Sequence, residues 1–274
     1  MRYTKINFKT LDDIKLNPFM GSALRGAFGY ALKKVVCISP SFKCDGCFAQ
    51  SDCLYYDFYE KKDAYHKYRF DIPLEPSRFD FNLYLFDDAC EKSPYVISAI
   101  HKMLGEIGFG RDRKTSKNFT ISIDGEVVYD GKEFKTISKN ILCFKSKKYH
   151  KDLVLRFLTP FRTKKDNRLL RTAPQLELIL SSIENRANML QGKKIEKLSF
   201  VPTYNEHRQD IYFKELTRLS NRQRTKMQFG GIMGEINYKN LDKKSYDTLK
   251  LGEIIGIGKQ SVFGLGKIKV EDSK

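Results

Sequence analysis

The stretch Phe79-Asp80-Phe81-Asn82-Leu83-Tyr84-Leu85-Phe86, followed by Val96, Ala99, Ile100, Met103, Leu104 and Ile107, decides the fold class. In the first run Phe79, Phe81, Leu83 and Leu85 alternate with Asp80, Asn82, Tyr84 and Phe86, the period of a strand with two distinct faces. In the second run apolar residues return every three or four positions, the period of a helix with one buried stripe. A strand feeding directly into such a helix is the building unit of α+β folds, in which helices cover one face of a sheet. The helix is expected to stop at Gly108-Phe109-Gly110-Arg111-Asp112-Arg113, a glycine-broken basic turn.

Outward from that unit, Tyr3–Lys9 reads as a strand and Gly21–Val36 as a helix whose buried stripe is Leu24, Phe28, Ala31 and Val35. Gly26, Tyr30 and Lys33 fall on the opposite side, which has little to bury and so faces solvent or a ligand. Phe119–Ile123 and Val127–Tyr129 form a hairpin about Asp124-Gly125-Glu126. The first half thus reads strand, helix, strand, helix, strand. The basic segment Lys145–Lys151 is the expected junction, giving domains 1–150 and 151–274 with a cysteine insertion at 37–57. Beyond it, Leu153–Leu158 reads as a strand ending at Thr159-Pro160. Leu176, Ile179, Leu180, Ile183, Ala187 and Leu190 mark a helix, and Ile195–Phe200 and Ile211–Leu219 read as strands. Phe229–Tyr238 reads as a glycine-rich hairpin, Lys243–Leu251 as a helix and Lys267–Val270 as a last strand. The pattern fits two α+β units in tandem, each a sheet with helices on one face.

The chain has 274 residues, a formal charge of +17, and 20 Phe with 15 Tyr among its 41% hydrophobic residues. That apolar content can repay the ordering of the backbone, which argues against wholesale disorder. No apolar run reaches the roughly 20 residues that cross a bilayer. The start, Met1-Arg2-Tyr3-Thr4-Lys5-Ile6, alternates polar and apolar and does not read as a signal peptide, so a cytoplasmic protein is expected. The positive excess suits an anionic partner, most commonly nucleic acid, with an anionic membrane surface or an acidic protein as alternatives.

Cys37, Cys44, Cys47 and Cys53 crowd together, whereas Cys90 and Cys143 stand apart as expected core residues. The Cys-x2-Cys pair can place two thiolates on one metal, and the outer two complete a tetrahedron. Without an export signal a metal is favoured over disulfides; structural zinc is the default, and an iron–sulfur cluster uses the same ligand chemistry. The tail Gly256-Ile257-Gly258-Lys259-Gln260-Ser261-Val262-Phe263-Gly264-Leu265-Gly266 could let backbone N–H groups approach phosphates, yet it has neither the Walker spacing nor a dinucleotide fingerprint. Arg218-Leu219-Ser220-Asn221-Arg222-Gln223-Arg224-Thr225-Lys226 is a plausible reader of backbone phosphates. His66, His101, His150 and His207 are far apart, and His101, on the polar face of its helix, reads as solvated.

Taken in order, several of these segments resemble the CRISPR precursor-RNA-processing endoribonucleases of the RAMP superfamily. They are Gly21-Ser22-Ala23-Leu24-Arg25-Gly26-Ala27-Phe28-Gly29 before the cysteines, Gly108-Phe109-Gly110-Arg111 after a helix, and Leu155-Arg156-Phe157-Leu158-Thr159-Pro160-Phe161-Arg162. Ser220-Asn221-Arg222-Gln223, Gly230-Gly231-Ile232-Met233-Gly234-Glu235-Ile236 and the C-terminal glycine cluster complete the set. The resemblance implies two tandem ferredoxin-like domains, CRISPR repeat RNA as ligand, other CRISPR effector-complex proteins as possible partners, and one cut per repeat without a catalytic metal. In that reaction a 2′-hydroxyl attacks the adjacent phosphate, leaving a 2′,3′-cyclic phosphate and a 5′-hydroxyl. A base, an acid and cations that steady the extra charge on phosphorus are required. Many relatives carry a histidine on or just after the first helix; here that neighbourhood holds Tyr30 and Lys33, which are the expected catalytic pair. Neither residue type normally titrates near neutrality, so a distant histidine such as His150, or a non-catalytic repeat-binding role, stays open. Arg25, Arg111, Arg113, Arg162, Arg222, Arg224 and Lys259, with Gly264 and Gly266, are the expected RNA contacts. An unrelated basic zinc protein that binds nucleic acid generally is the remaining alternative.

Overall fold

The computed structural model describes residues 1–12, 17–62, 64–110, 113–136, 141–146, 148–220 and 225–273. The chain divides into two compact units, Met1–Cys143 and Phe144–Lys274. The first contains β1 (Arg2–Thr10), α1 (Gly21–Val36), β2 (Tyr68–Asp71), β3 (Phe81–Phe86), α2 (Ser93–Lys102), β4 (Phe119–Ile123), β5 (Glu126–Tyr129) and β6 (Leu142–Cys143). Its sheet runs β2-β3-β1-β4-β5 with antiparallel neighbours, and β6 pairs with the first residues of β1. The order β-α-β-β-α-β with β1 and β3 in the centre is the ferredoxin-like arrangement, widened at one edge by β5.

Alternation along β1 explains how the helices find their face. Thr4, Ile6, Phe8 and Thr10 are buried, whereas Tyr3, Lys5, Asn7 and Lys9 remain at least partly exposed on the other face. Phe8 lies opposite Phe81 with ring centroids 4.7 Å apart, and Phe28 of α1 meets Phe70 of β2 edge-on at 5.5 Å. Such aromatic pairs add about 0.5–1.5 kcal/mol each beyond their burial.

The boundaries of α1 are those read from the sequence, although Leu32 rather than Val35 completes the buried stripe. β3 begins two residues later than read, because Phe79 leaves the ladder to stack on Phe109 at 4.0 Å. Tyr84 and Phe86 are buried along with their neighbours, so the alternation does not mark an open face there. β2 is an addition to the sequence reading.

The second unit contains β7 (Leu153–Phe161), β8 (Lys164–Lys165), β9 (Arg168–Leu169), α3 (Leu176–Leu190), β10 (Asn205–Lys214), β11 (Thr217–Ser220), β12 (Thr225–Gln228), β13 (Gly231–Lys239), α4 (Lys243–Ile255) and β14 (Ile268–Asp272). Its main sheet runs β10-β13-β7-β14, so β7-α3-β10-β13-α4-β14 repeats the ferredoxin-like order. Two small ribbons, β8–β9 and β11–β12, are inserted into that plan. Asp242 starts α4 by accepting a hydrogen bond from the Ser245 amide at 2.9 Å, a cap worth about 1 kcal/mol.

β7 passes through Thr159-Pro160 to Phe161; the proline, which has no N–H to give, falls where the ladder with β13 shifts register between Ile232 and Gly234. Residues 195–200 form no strand, for they lie in an irregular connection after α3. Ile211–Leu219 is two strands broken at Glu215-Leu216. Phe229–Tyr238 is no hairpin: its residues from Gly231 on run through β13, a central strand paired on both sides. Cys90 is buried as expected, but Cys143 is exposed, since it sits in the two-residue strand β6.

Candidate functional site

In the first unit the chemistry gathers on α1 and the cysteine insertion that follows it. Gly29 lets the two meet: a Cβ there would lie 2.5 Å from the Tyr59 ring. The Tyr59 hydroxyl donates to the Arg25 carbonyl at 2.7 Å, and Arg25 Nε donates to the Tyr68 hydroxyl at 3.0 Å with its guanidinium 4.5 Å from the Tyr59 ring centre. Burial pushes the pKa of both phenols up, so they stay neutral. Arg25, an expected RNA contact, ties α1 to Tyr59 and Tyr68, which follow the insertion.

Tyr30 is 56% exposed on the free side of α1, as the spacing with Gly26 predicts. Lys33 is half-buried, its ammonium 4.7 Å from the centre of the Tyr55 ring. Cys37 ends α1, its amide donating to the Lys33 carbonyl at 3.0 Å. Cys44-Asp45-Gly46-Cys47 is a tight turn with Gly46 at φ 66°, closed by the Cys47 amide on the Cys44 carbonyl at 3.3 Å. All four cysteines are free, half-exposed thiols lining one cavity of about 170 Å³. They share that space without being gathered: among the described residues no group of three or more metal-ligating side chains is preassembled.

Arg113 is exposed at φ 47° in the loop after α2, where Gly108 leaves room for its carbonyl; a Cβ on Gly108 would lie 2.1 Å from that oxygen. Arg111, Arg222 and Arg224 lie outside the described residues.

In the second unit Arg162 and Lys259 are brought together. The Lys259 amide donates to the Arg162 carbonyl at 2.8 Å, Arg162 Nη1 donates to the Gly230 carbonyl at 2.9 Å, and Lys259 itself is exposed. Gly258 makes this approach possible, with φ 69° and no space for a Cβ beside the Arg162 carbonyl. Gly264 and Gly266 differ from expectation. Both are buried, and their amides donate to Ser261 and Pro160 carbonyls, so they shape the loop and offer no donors to a phosphate.

The sequence reading missed β8–β9, a ribbon bearing exposed Lys164, Lys165 and Arg168 and turning at Asp166 and Asn167, both at positive φ. An Asp-Asn pair between basic residues is a hairpin signal that could have found it. It also missed the polar face of the first sheet, where Lys5, Asn7, Lys9, Thr120, Ser122 and Asp124 line one depression. Three histidines are engaged elsewhere. His101 is half-buried rather than free in solvent: it packs among Phe119, Tyr129 and Phe134, and burial lowers its pKa. His150 lies 3.5 Å from the Asp272 carboxylate, and His66 Nδ1 is 2.8 Å from the Asp57 carbonyl.

Two units of ferredoxin-like order define a class, and comparison with known proteins matches each unit to a family model. Residues 1–140 match the AF_1859 N-terminal domain, and residues 155–268 match CRISPR-associated endoribonuclease Cas6. The chain belongs to the proteins that carry an AF_1859-type N-terminal domain, and its second unit matches the Cas6 endoribonuclease model. A curated Archaeoglobus fulgidus protein, described only as uncharacterized, is 26% identical over 276 residues, covering 93% of this chain and 92% of its own. A Thermus thermophilus Cas6 in its product complex shares the fold with a TM-score of 0.55 at 15% identity, over 98% of this chain and 99% of that one. A partial Cas6-RT-Cas1–Cas2 complex matches with a TM-score of 0.57 at 14% identity, over 99% of this chain and 46% of that one. No described helix is long and apolar enough to cross a membrane.

Proposed function

We propose that this protein cuts the repeat RNA of CRISPR precursor transcripts in the cytoplasm by attack of a 2′-hydroxyl on the adjacent phosphate, with no catalytic metal. The observation that carries the reading is the Cas6 match over residues 155–268, on a chain whose two units each have the ferredoxin-like order. Tyr30, exposed on α1, accepts or returns the proton of a reacting oxygen, while Lys33 and Lys34 beside it offset the charge that builds on phosphorus. Arg113, Arg162 and Lys259 grip the RNA backbone. DNA, which lacks the hydroxyl, binds and does not react. The likeness to a Cas6-RT-Cas1–Cas2 assembly supports other CRISPR proteins as partners.

Labelled repeat RNA incubated with the protein in excess EDTA tests this. Cleavage should persist, Tyr30→Phe should slow it at least tenfold while changing binding less than threefold, a loss typical of one acid–base group, and Lys33→Ala should slow cleavage more than it weakens binding. Tight binding with no cut would instead make the protein a repeat-holding subunit. Equal affinity for unrelated DNA would remove both readings.

We further propose that Cys37, Cys44, Cys47 and Cys53 hold one structural metal. The shared cavity and the Cys44–Cys47 turn support it. Bound there, the metal would tie together a loop that has little core of its own. Zinc would leave the protein colourless and an iron–sulfur cluster would give it visible absorption. Purified protein should contain one such centre, and Cys44→Ser should lose it and melt lower; a variant that keeps both metal and melting temperature contradicts the assignment.

A further inference from the structure

Phe42 is a residue whose placement nothing above explains. Its φ of 56° is in the left-handed region that bulky side chains rarely adopt. Its amide closes a turn on the Ser39 carbonyl at 3.1 Å, and its ring is left 39% exposed. Two ammonium groups flank the ring, Lys34 Nζ at 4.9 Å and Lys33 Nζ at 5.8 Å from its centre. Each also reaches a second aromatic ring: Lys34 lies 5.8 Å from Tyr30, and Lys33 lies 4.7 Å from Tyr55. The groups therefore alternate in the order Tyr30, Lys34, Phe42, Lys33, Tyr55. α1, which supplies three of the five, carries no acidic residue.

An aromatic ring that is strained into the open and set between cations does not serve a core. It offers solvent the exposed part of an apolar ring that has two ammonium groups set over it. A nucleobase presents the matching flat face, and the phosphates on either side of it meet the ammonium groups. Paired bases keep their faces inside a duplex, so only an unpaired stretch can use such a surface. We propose that the exposed part of the Phe42 ring, with Lys33 and Lys34 over the ring and Tyr30 beyond Lys34, forms a stacking platform for unpaired RNA bases. The platform rests on the RNA-processing reading and adds to it a contact on the cysteine insertion, beyond the bond that is cut. The ring face is indifferent to base identity, so the platform favours strandedness over sequence.

The chain contains no tryptophan, which makes Phe42→Trp a single fluorescent reporter at the centre of the platform. The Phe42→Trp protein is titrated with an unstructured oligouridylate and, separately, with a blunt RNA duplex of equal length. Binding of both RNAs to the parent and to Phe42→Ala is followed in parallel by anisotropy of labelled RNA. The platform predicts that the oligouridylate quenches the tryptophan about twofold or more and the duplex does not. It predicts that Phe42→Ala weakens oligouridylate binding about tenfold, the loss expected for one stacked base, and leaves duplex binding within twofold. RNA that binds without changing the emission would overturn it, as would parent-like oligouridylate affinity in Phe42→Ala. If such a protein still cuts repeat RNA, the platform alone falls; if the parent binds no repeat RNA, the reading of function falls and takes the platform with it.

Discussion

Asp124 shows how a single carboxyl can work against the fold that holds it. It turns β4 into β5 at φ 48°, with Oδ1 accepting from the Lys5 amide at 3.3 Å and Oδ2 buried without a hydrogen-bond partner. Burial pushes its pKa up to about 6, against the lowering effect of the Lys5 amide and charge. The folded protein therefore holds this proton more tightly than the unfolded chain, where the group titrates near 3.9. Its contribution is favourable below about pH 4 and is lost as the pH rises through 6. Asp124→Asn should raise stability at pH 7 by the order of 1 kcal/mol, allowing for solvent screening of a half-buried group. It should also flatten the stability profile between about pH 4 and 6; denaturant melts across that range check both. Residues such as Leu24, Phe28 and Ala31 were legible in advance because helical spacing alone places them inside. Arg25 was not, because nothing in the local sequence says that Tyr59 and Tyr68 will come to meet its guanidinium.

At the scale of elements, the C-terminal glycines were noticed for one reason and are needed for another. Closely spaced glycines suggested a phosphate cradle, but Gly266 answers to its own chain. At φ 70° a Cβ there would lie 1.8 Å from the Ile257 carbonyl, whose own amide donates back to the Gly266 carbonyl at 2.9 Å. Gly266→Ala should cost several kcal/mol, through positive-φ strain together with a backbone collision. It should appear as a large fall in melting temperature or as failure of the second unit to fold; a shift of a degree or two would contradict this. β2 escaped the sequence reading because Tyr68-Arg69-Phe70-Asp71 is only four residues long and puts a charge at every second position, yet all four are buried. β7 was cut short at Pro160 because proline ordinarily ends a central strand, and only the neighbouring shift in register tolerates it. By contrast, the hairpin about Asp124-Gly125 could be read directly, because its turn residues and flanking alternation agree.

At the scale of the whole molecule, the charge of +17 and the paired α+β pattern were readable from composition and periodicity, and together they pointed to a tandem protein with an anionic partner, most commonly nucleic acid; RNA came only from the family resemblance. The site was less readable. Its residues come from elements far apart in sequence, as Arg162 and Lys259 do, and their meeting depends on the antiparallel order of a sheet rather than on any local motif. The central claim is that the RNA's own 2′-hydroxyl breaks its chain on this surface. The most direct measurement is the cleavage rate of a repeat RNA carrying one deoxyribose at the position before the cut, with the intact RNA alongside and EDTA present throughout. The intact RNA should yield a 2′,3′-cyclic phosphate end, and the singly substituted RNA should bind equally well and not be cut; cleavage of the substituted RNA at the same bond would contradict attack by the 2′-hydroxyl.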